Sequence, residues 1–476
     1  MIQAGQLLEV RDQLNVGVRG GTASTEGLAT VVDRRGFADM QLVSSGDLRF
    51  LAATQANGTQ LYVPGDLTLA AAQIYPATGA TATVYAGWRG DGVDYDPDRR
   101  LTLMRTTGET PAVPYSVFGS LTLGAAIINQ GGVLRAPLGA LNLGVSRGAS
   151  RSTKIVNLLA DSLTSVSAAG LVMPYGGTTD GVSWEYAGQE IALNGVGSTA
   201  AGSVTLTGQL VDVREGAVID LSGGGELTGA GFISGRGGST DARYTPLAQL
   251  GGDGLTLPGL DSNPVYALVP GIQAIAAPAG GEGGAVDSLL GQQITLGAGV
   301  PGLPAGTYTL LPSTYALLPG AFRVEINGLA GQGTATAAAA MRNGSYSASG
   351  VISIAGTNIR DSLASQLILT PADVLRTYSQ YNETSYAAFA AADAATRGIP
   401  RAQIEADAKL LQLGFTTREK ESEALSLQFA GTVLGEAAEG GYGSTLAVLG
   451  SGLGSRSSAT PRRRRRTSPS RCVLRI

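Results

Sequence analysis

Gly119–Val145, GSLTLGAAIINQGGVLRAPLGALNLGV, runs twice through one short cycle. Gly119-Ser120-Leu121-Thr122-Leu123-Gly124 alternates apolar and polar residues and closes on glycine. Gly139-Ala140-Leu141-Asn142-Leu143-Gly144 repeats it twenty positions later. Between them, Ile127-Ile128-Asn129-Gln130-Gly131-Gly132-Val133-Leu134 reads as a strand, a turn and a second strand start. Alternation of period two, bounded by glycine and asparagine, is a strand pattern and not a helical one. A unit of about twenty residues cannot bury its own apolar face, so successive units must stack. Leu121 and Leu123 then lie level with Leu141 and Leu143, and the expected fold is all-β: a parallel β-helix, or solenoid.

Outward from that stretch the same cycle recurs. Gly65-Asp66-Leu67-Thr68-Leu69 with Ile74-Tyr75-Pro76 precedes it, whereas residues 1–60 alternate only weakly, at Leu7-Leu8-Glu9-Val10, Leu42-Val43 and Leu48-Arg49-Phe50-Leu51, and read as short strands with long surface connections. Rungs are expected to run cleanly from Leu101 to Val145. Ile155–Gly170, Ser203–Thr207 and Ala217–Leu221 continue them, and the whole region 1–239 is assigned to rungs with lateral loops. The polar stretch 88–100 and the segment Pro174–Ala187, with Trp184, are the two expected excursions. Residues 240–325 hold nine prolines. Because proline is confined to edges, turns and strand starts, 240–350 is expected to form a hairpin-rich insertion. Val351–Ile354 and Leu367–Leu369 place a return to β-helix strands over 351–370.

The period then changes. Thr370-Pro371-Ala372-Asp373 has the form of a helix start, with a threonine cap and proline at the first position. A short helical excursion is expected over 371–413. Its first part carries Val374, Tyr378, Tyr381, Tyr386 and Phe389, with Asn382 and Thr384 as breakers and Gly398 at its end. A second helix is expected from Pro400 to Leu413, with Ile404, Ala408 and Leu411 on one side. Residues 414–455 return to strands. Residues 456–476, rich in Ser, Pro and Arg and without periodicity, are expected to be disordered.

Composition bounds the chemistry. The 476 residues include 70 glycines, 5% aromatic residues and 15% charged residues, a pattern suited to tight turns around a narrow aliphatic core. Histidine is absent, which excludes Ser-His-Asp and Cys-His nucleophilic sites and histidine metal ligands. Cys472 is the one cysteine, so no internal disulfide or thiolate cluster forms. Net charge is −4, yet eight arginines lie after residue 455, leaving 25 basic against 37 acidic groups in 1–455. A body with a net charge of −12 argues against nucleic acid as its partner. No run approaches the length of a membrane span. The first residues lack the basic and apolar regions of a signal peptide, and the chain is expected to start within a longer architecture.

These residues carry a family resemblance. Gly65–Leu69 with Ile74–Pro76, and Gly119–Ala136, resemble recurrent signatures of the filamentous haemagglutinin-like large exoproteins of Gram-negative bacteria. Gly306-Thr307-Tyr308 and Leu311-Pro312, followed by Tyr315–Gly320, resemble another, and Tyr378–Thr384 is similar to a further one. The match covers roughly residues 40–450 and corresponds to the carboxy-terminal region of such a protein. It implies a right-handed parallel β-helix shaft, two-partner secretion through an outer-membrane partner transporter, and a secreted or surface-displayed location. The function it implies is non-enzymatic: an adhesin attaching to host-cell glycans or receptors, with no cofactor.

Several residues invite a sharper reading. Arg89-Gly90-Asp91 is the tripeptide associated with integrin attachment, set against an ordinary loop that uses Gly and Asp for its turn. Asp91, Asp94, Asp96 and Asp98 could gather oxygen ligands for Ca²⁺. Counted from Asp94, however, the loop lacks the glycine and glutamate of an EF-hand. A polysaccharide-degrading enzyme on the same scaffold would need carboxylates on neighbouring rungs, and Asp220 finds no such acid. Trp88, Trp184, Tyr175 and Tyr186 could stack on sugars or pack their own loops. Arg462–Arg466 will bind polyanions whatever the protein does. A spacer shaft with no ligand is the remaining alternative.

Overall fold

The structure, a computed structural model, describes residues 1–16, 24–25, 28–29, 37–88, 98–146, 152–186, 188–191, 202–235, 240–246, 263–272, 289–415 and 426–450. The chain divides into two compact units. The first takes in 1–169, 199–225 and 405–476, the second 170–198 and 226–404. The regular structure of both, among the described residues, is mostly strand. Among the described residues the only α-helices are α1 (Ala372–Tyr378) and α2 (Tyr386–Arg397), both in the second unit.

The first unit consists of three parallel sheets of eight, seven and eight strands. The chain visits them in turn: Asp66–Ala71 lies in the first, Gln73–Pro76 in the second and Thr81–Ala86 in the third. Leu121 pairs in register with Leu141, and Leu123 with Leu143, as the twenty-residue repeat requires. Alternation places one aliphatic face inward on every strand. Leu48, Leu61, Leu69, Leu101, Leu121 and Leu141 are fully buried in a single continuous core. Each such leucine contributes about 1.5–3 kcal/mol relative to an exposed one. Gln130 faces the same core, level with Leu103 and Leu158. Its amide bonds the Gly132 N–H and carbonyl and the Leu163 carbonyl, so no amide atom is left unsatisfied.

Between Arg100–Arg105 and Ser120–Gly124 the chain passes from the first sheet to the third with no strand in the second. Clean rungs over Leu101–Val145 are therefore corrected at 106–119. Pro111 and Pro114 have no N–H to give a ladder, and the segment instead crosses the face of the second sheet opposite Leu134. Arg135 donates to the Pro111 carbonyl (3.2 Å), and the Ser116 hydroxyl donates to the Pro76 carbonyl (2.7 Å).

The second unit begins at Gly170, earlier than the expected insertion at 240. Val172–Pro174 pairs parallel with Glu226–Phe232, which pairs antiparallel with Tyr381–Ser385. An eight-stranded antiparallel sheet holds Gln293–Leu296, Phe322–Leu329, Tyr346–Ser353 and Ser365–Pro371 among its strands. The return to β-helix strands over 351–370 is thus overturned, because both strands there pair antiparallel within this sheet. The core is formed by Tyr266, Leu268, Ile294, Val324, Leu367 and Leu369.

The helical excursion lies within the expected 371–413 but is shorter, ending at Arg397. α1 starts one residue later than expected, with Pro371 at the cap position, while the Thr370 hydroxyl lies 3.0 Å from that of Ser345. Asn382 and Thr384 fall in the strand Tyr381–Ser385. α2 follows, capped by the Ser385 hydroxyl accepting from the Ala388 N–H and closed by Gly398 in the left-handed region. No helix forms over Pro400–Leu413. Leu410–Phe415 is a strand of the third parallel sheet, Leu411 pairing with Val204. Pairing with an existing sheet edge outweighs the helical propensity of Ala, Glu, Lys and Leu there.

Candidate functional site

The second unit holds a cleft of about 660 Å³, within the range of ligand sites. Its floor is the strand pair Glu226–Phe232 and Tyr381–Ser385. The antiparallel register places Gly229, Ala230 and Gly231 opposite Thr384, Glu383 and Asn382.

One wall is the segment 174–186, held by reciprocal backbone bonds between Gly177 and Glu185 (2.9 Å each). Trp184 is buried behind it, donating from Nε1 to the Tyr175 carbonyl (2.9 Å). Its ring meets Tyr386 edge-on at 5.5 Å and Phe389 at 5.3 Å, both on α2. Gly229 leaves the room that the indole takes, since a Cβ there would lie 2.4 Å from the ring. Tyr175 and Tyr186 stack at 4.1 Å, and Tyr186 faces the cleft.

The opposite wall is organised by two arginines. Arg243 donates from Nε and Nη2 to the Asp241 carboxylate (2.6 Å for Nη2) and from Nη1 to the Ala230 carbonyl (2.9 Å). Its guanidinium lies 4.8 Å from the ring centre of Tyr381 and 5.3 Å from that of Tyr244. Burial works against its charge, but the bonds and charge of Asp241 outweigh burial and hold its pKa above the usual arginine value. The Tyr381 hydroxyl donates to Asp241 (2.8 Å); burial and then that carboxylate raise its pKa. Arg376 donates twice to Glu383 (2.6 and 2.8 Å) and once to the Leu317 carbonyl (2.6 Å).

Both guanidiniums are therefore neutralised by carboxylates. Asp180, Glu185, Glu226 and Glu383 line the cleft and are exposed. The Val182 N–H donates to Asp180 and holds its carboxyl below the usual carboxylate range. The carboxylates can accept from sugar hydroxyls, while the rings of Tyr186 and Tyr244 can stack on an apolar sugar face. Among the described residues no group of three or more Cys, Asp or Glu is placed to hold a metal ion.

The residues singled out in the sequence fall in different places. Arg89, Gly90, Asp91, Asp94, Asp96 and the arginines after residue 455 lie outside the described residues, leaving Asp98 alone of the acidic loop. Trp88 is fully buried, packed against Tyr85 at 4.7 Å, and Trp184 is as deeply covered, so neither ring can reach a ligand. Tyr175 is buried beneath Tyr186. Asp220 accepts from the Ser165 and Ser222 hydroxyls, and its partners on the adjacent strands are Ser165 and Leu434.

Asp220 instead ends a polar column of the second sheet that no sequence pattern revealed. Glu9 pairs with Arg49 and Arg49 with Tyr75. Ile74 pairs with Leu134, which sets Arg135 beside Tyr75, and Arg135 leads on to Ser165 and Asp220. Burial lowers the Arg135 pKa, and Asp220 opposes that shift.

Sequence reasoning also missed Asp180, Arg243, Tyr244 and Arg376. The one hint was the segment Tyr378–Thr384, which supplies Tyr381 and Glu383. Comparison with known proteins finds no matching family model, no matching curated protein and no matching solved structure.

Proposed function

We propose that this chain is part of a secreted or surface-displayed filamentous adhesin, non-enzymatic, of the haemagglutinin-like exoprotein type. Its first unit is a right-handed parallel β-helix serving as the shaft, and export runs through an outer-membrane partner transporter. The observation that supports this reading is the rotation of the chain through three parallel sheets with one aliphatic residue stacked on the next. Such a stack is itself a surface and not a pocket, so attachment adds repeated weak contacts along it to those made in the cleft of the second unit. The cleft beside Tyr186 and Tyr244 is the place where a host glycan is held.

The test is binding of the full chain to a glycan array and to host cells, alongside a variant lacking 456–476 so that the arginine run cannot mimic adhesion. Saturable binding by both forms is expected to survive ~0.5 M salt, where the screening length is a few Å. Tyr186→Ala is expected to weaken it roughly ten-fold, the effect of losing one aromatic anchor of about 1.4 kcal/mol. Binding lost with the tail, or a glycan that is shortened and not retained, overturns the adhesin reading.

A further inference from the structure

The charges around the cleft of the second unit limit which glycans can enter it. On the floor, Glu226, Thr228, Ala230 and Phe232 share the face opposite to that of the buried Leu227. Glu383 sits level with Ala230, and Ser385 with Thr228. Glu226 and Ala230 are four residues apart, so the levels of Glu226 and Glu383 are separated by about 13 Å of extended strand. Asp180 and Glu185 stand on the wall formed by 174–186. Carboxylates are thus spread along the cleft and not gathered at one point.

The cations of the cleft are already engaged. Arg243 is closed on Asp241 and Arg376 on Glu383, each at 2.6 Å. Among the described residues Asp180, Glu185 and Glu226 take part in no ion pair. The lining groups together with Asp241 are five carboxylates against two guanidiniums, a net charge of −3. The N–H bond from Val182 favours the ionised form of Asp180.

We infer that the cleft takes neutral oligosaccharides and rejects those that carry a sialic acid carboxylate or a sulfate. An anion leaving water needs a guanidinium or an ammonium to replace its hydration. Both guanidiniums here already hold a carboxylate, so an acidic sugar would have to displace Asp241 or Glu383. Midway between the levels of Glu226 and Glu383 it would still lie about 7 Å along the strand from each, inside the ~8 Å screening length of physiological salt. Stacking of Tyr186 and Tyr244 on an apolar sugar face has no such requirement. Selection therefore works by repulsion of the wrong ligand as much as by attraction of the right one. The inference rests on the reading of this cleft as a glycan site and adds the sign of charge that the site tolerates.

The test is an array of matched glycan pairs, each neutral core present alone and with one added sialic acid or one added sulfate. The full chain and the variant lacking 456–476 are both applied, because the arginine run attracts acidic glycans by itself. Only binding that Tyr186→Ala weakens is counted. At ~0.15 M salt the neutral member is expected to bind roughly ten-fold more tightly than its acidic partner, and the gap to narrow at ~0.5 M. The triple variant Asp180→Asn, Glu185→Gln, Glu226→Gln is expected to lower that ratio roughly ten-fold, whatever happens to the absolute affinities. The amides keep an acceptor oxygen and the three positions are exposed, so the fold should tolerate them, and circular dichroism checks it. Glu226→Gln alone replaces the triple variant if that one fails to fold, with a smaller change of the same sign. Equal binding, a preference for the acidic member, or a ratio that the variant leaves unchanged overturns the inference while the glycan reading stands. Tyr186-dependent binding to no core at all overturns both.

Discussion

Gly124 and Tyr85 are register partners on neighbouring strands of the third parallel sheet, and a Cβ on Gly124 would lie 2.2 Å from the Tyr85 ring. The ring has nowhere to go, because it stacks on Tyr62 at 5.5 Å and meets Trp88 at 4.7 Å. Gly124→Ala is therefore expected to destabilise the first unit by about 1–3 kcal/mol, the usual effect of overpacking. Adding Tyr85→Ala to that variant should cost less than Tyr85→Ala alone, since the clash is gone. Denaturant unfolding of the four proteins measures the coupling; additive losses would show that the contact is not tight.

Arg323 and Glu325 are both fully buried and joined at 3.0 Å, with the Arg323 guanidinium also donating to the Thr245 carbonyl and Asn263 donating to Glu325. Removing one partner leaves an uncompensated charge in the interior. Glu325→Ala is expected to cost about 3–5 kcal/mol. The double change Arg323→Met with Glu325→Leu should recover most of that loss. Thermal and urea unfolding of the second unit's transition report both values.

Lys409 is 2% exposed, and its ammonium donates to the Glu405 and Asp407 carbonyls. Burial pushes its pKa down to about 8 from 10.5, against the opposing charges of Asp407 and Glu405. Between these two values the unfolded chain binds more protons than the folded one, so stability rises with pH across the window. Below about pH 8 the ammonium is charged in both states and the burial cost is present in full. Unfolding free energies are expected to climb by about 1 kcal/mol per pH unit above pH 8. Lys409→Met should flatten that slope; an unchanged slope would mean that another group titrates there.

Arg243 joins Asp241, the Ala230 carbonyl and two tyrosine rings through one planar guanidinium. Lysine keeps the charge but loses the fork and the stacking. Arg243→Lys is expected to destabilise the second unit by about 1–3 kcal/mol and to raise protease sensitivity at residues 240–246. Limited proteolysis compares the two proteins, and equal cleavage rates would argue against an anchoring role.

Much of the first unit was legible as alternation. Leu121 and Leu123 lie over Leu141 and Leu143 because a period of two sets which face a side chain takes, and burial of one face sets the register. Alternation carries no label for the partner strand. Val351–Ile354 and Leu367–Leu369 have the same pattern as a rung, yet Val351–Ser353 and Leu367–Leu369 pair antiparallel in another sheet. The cleft was the least legible part, because Tyr186, Arg243 and Glu383 are far apart in the chain and ordinary in their local sequence.

The sequence alone determined that the chain is strand-built around aliphatic columns and that histidine chemistry and an internal disulfide are excluded, since composition and period are local properties. Only the tertiary structure decided that 106–119 leaves its rung, that 410–415 is a strand and not a helix, and which aromatic rings stay reachable. Each of those outcomes depends on what packs or pairs across long stretches of chain, where burial and edge pairing outweigh local preference.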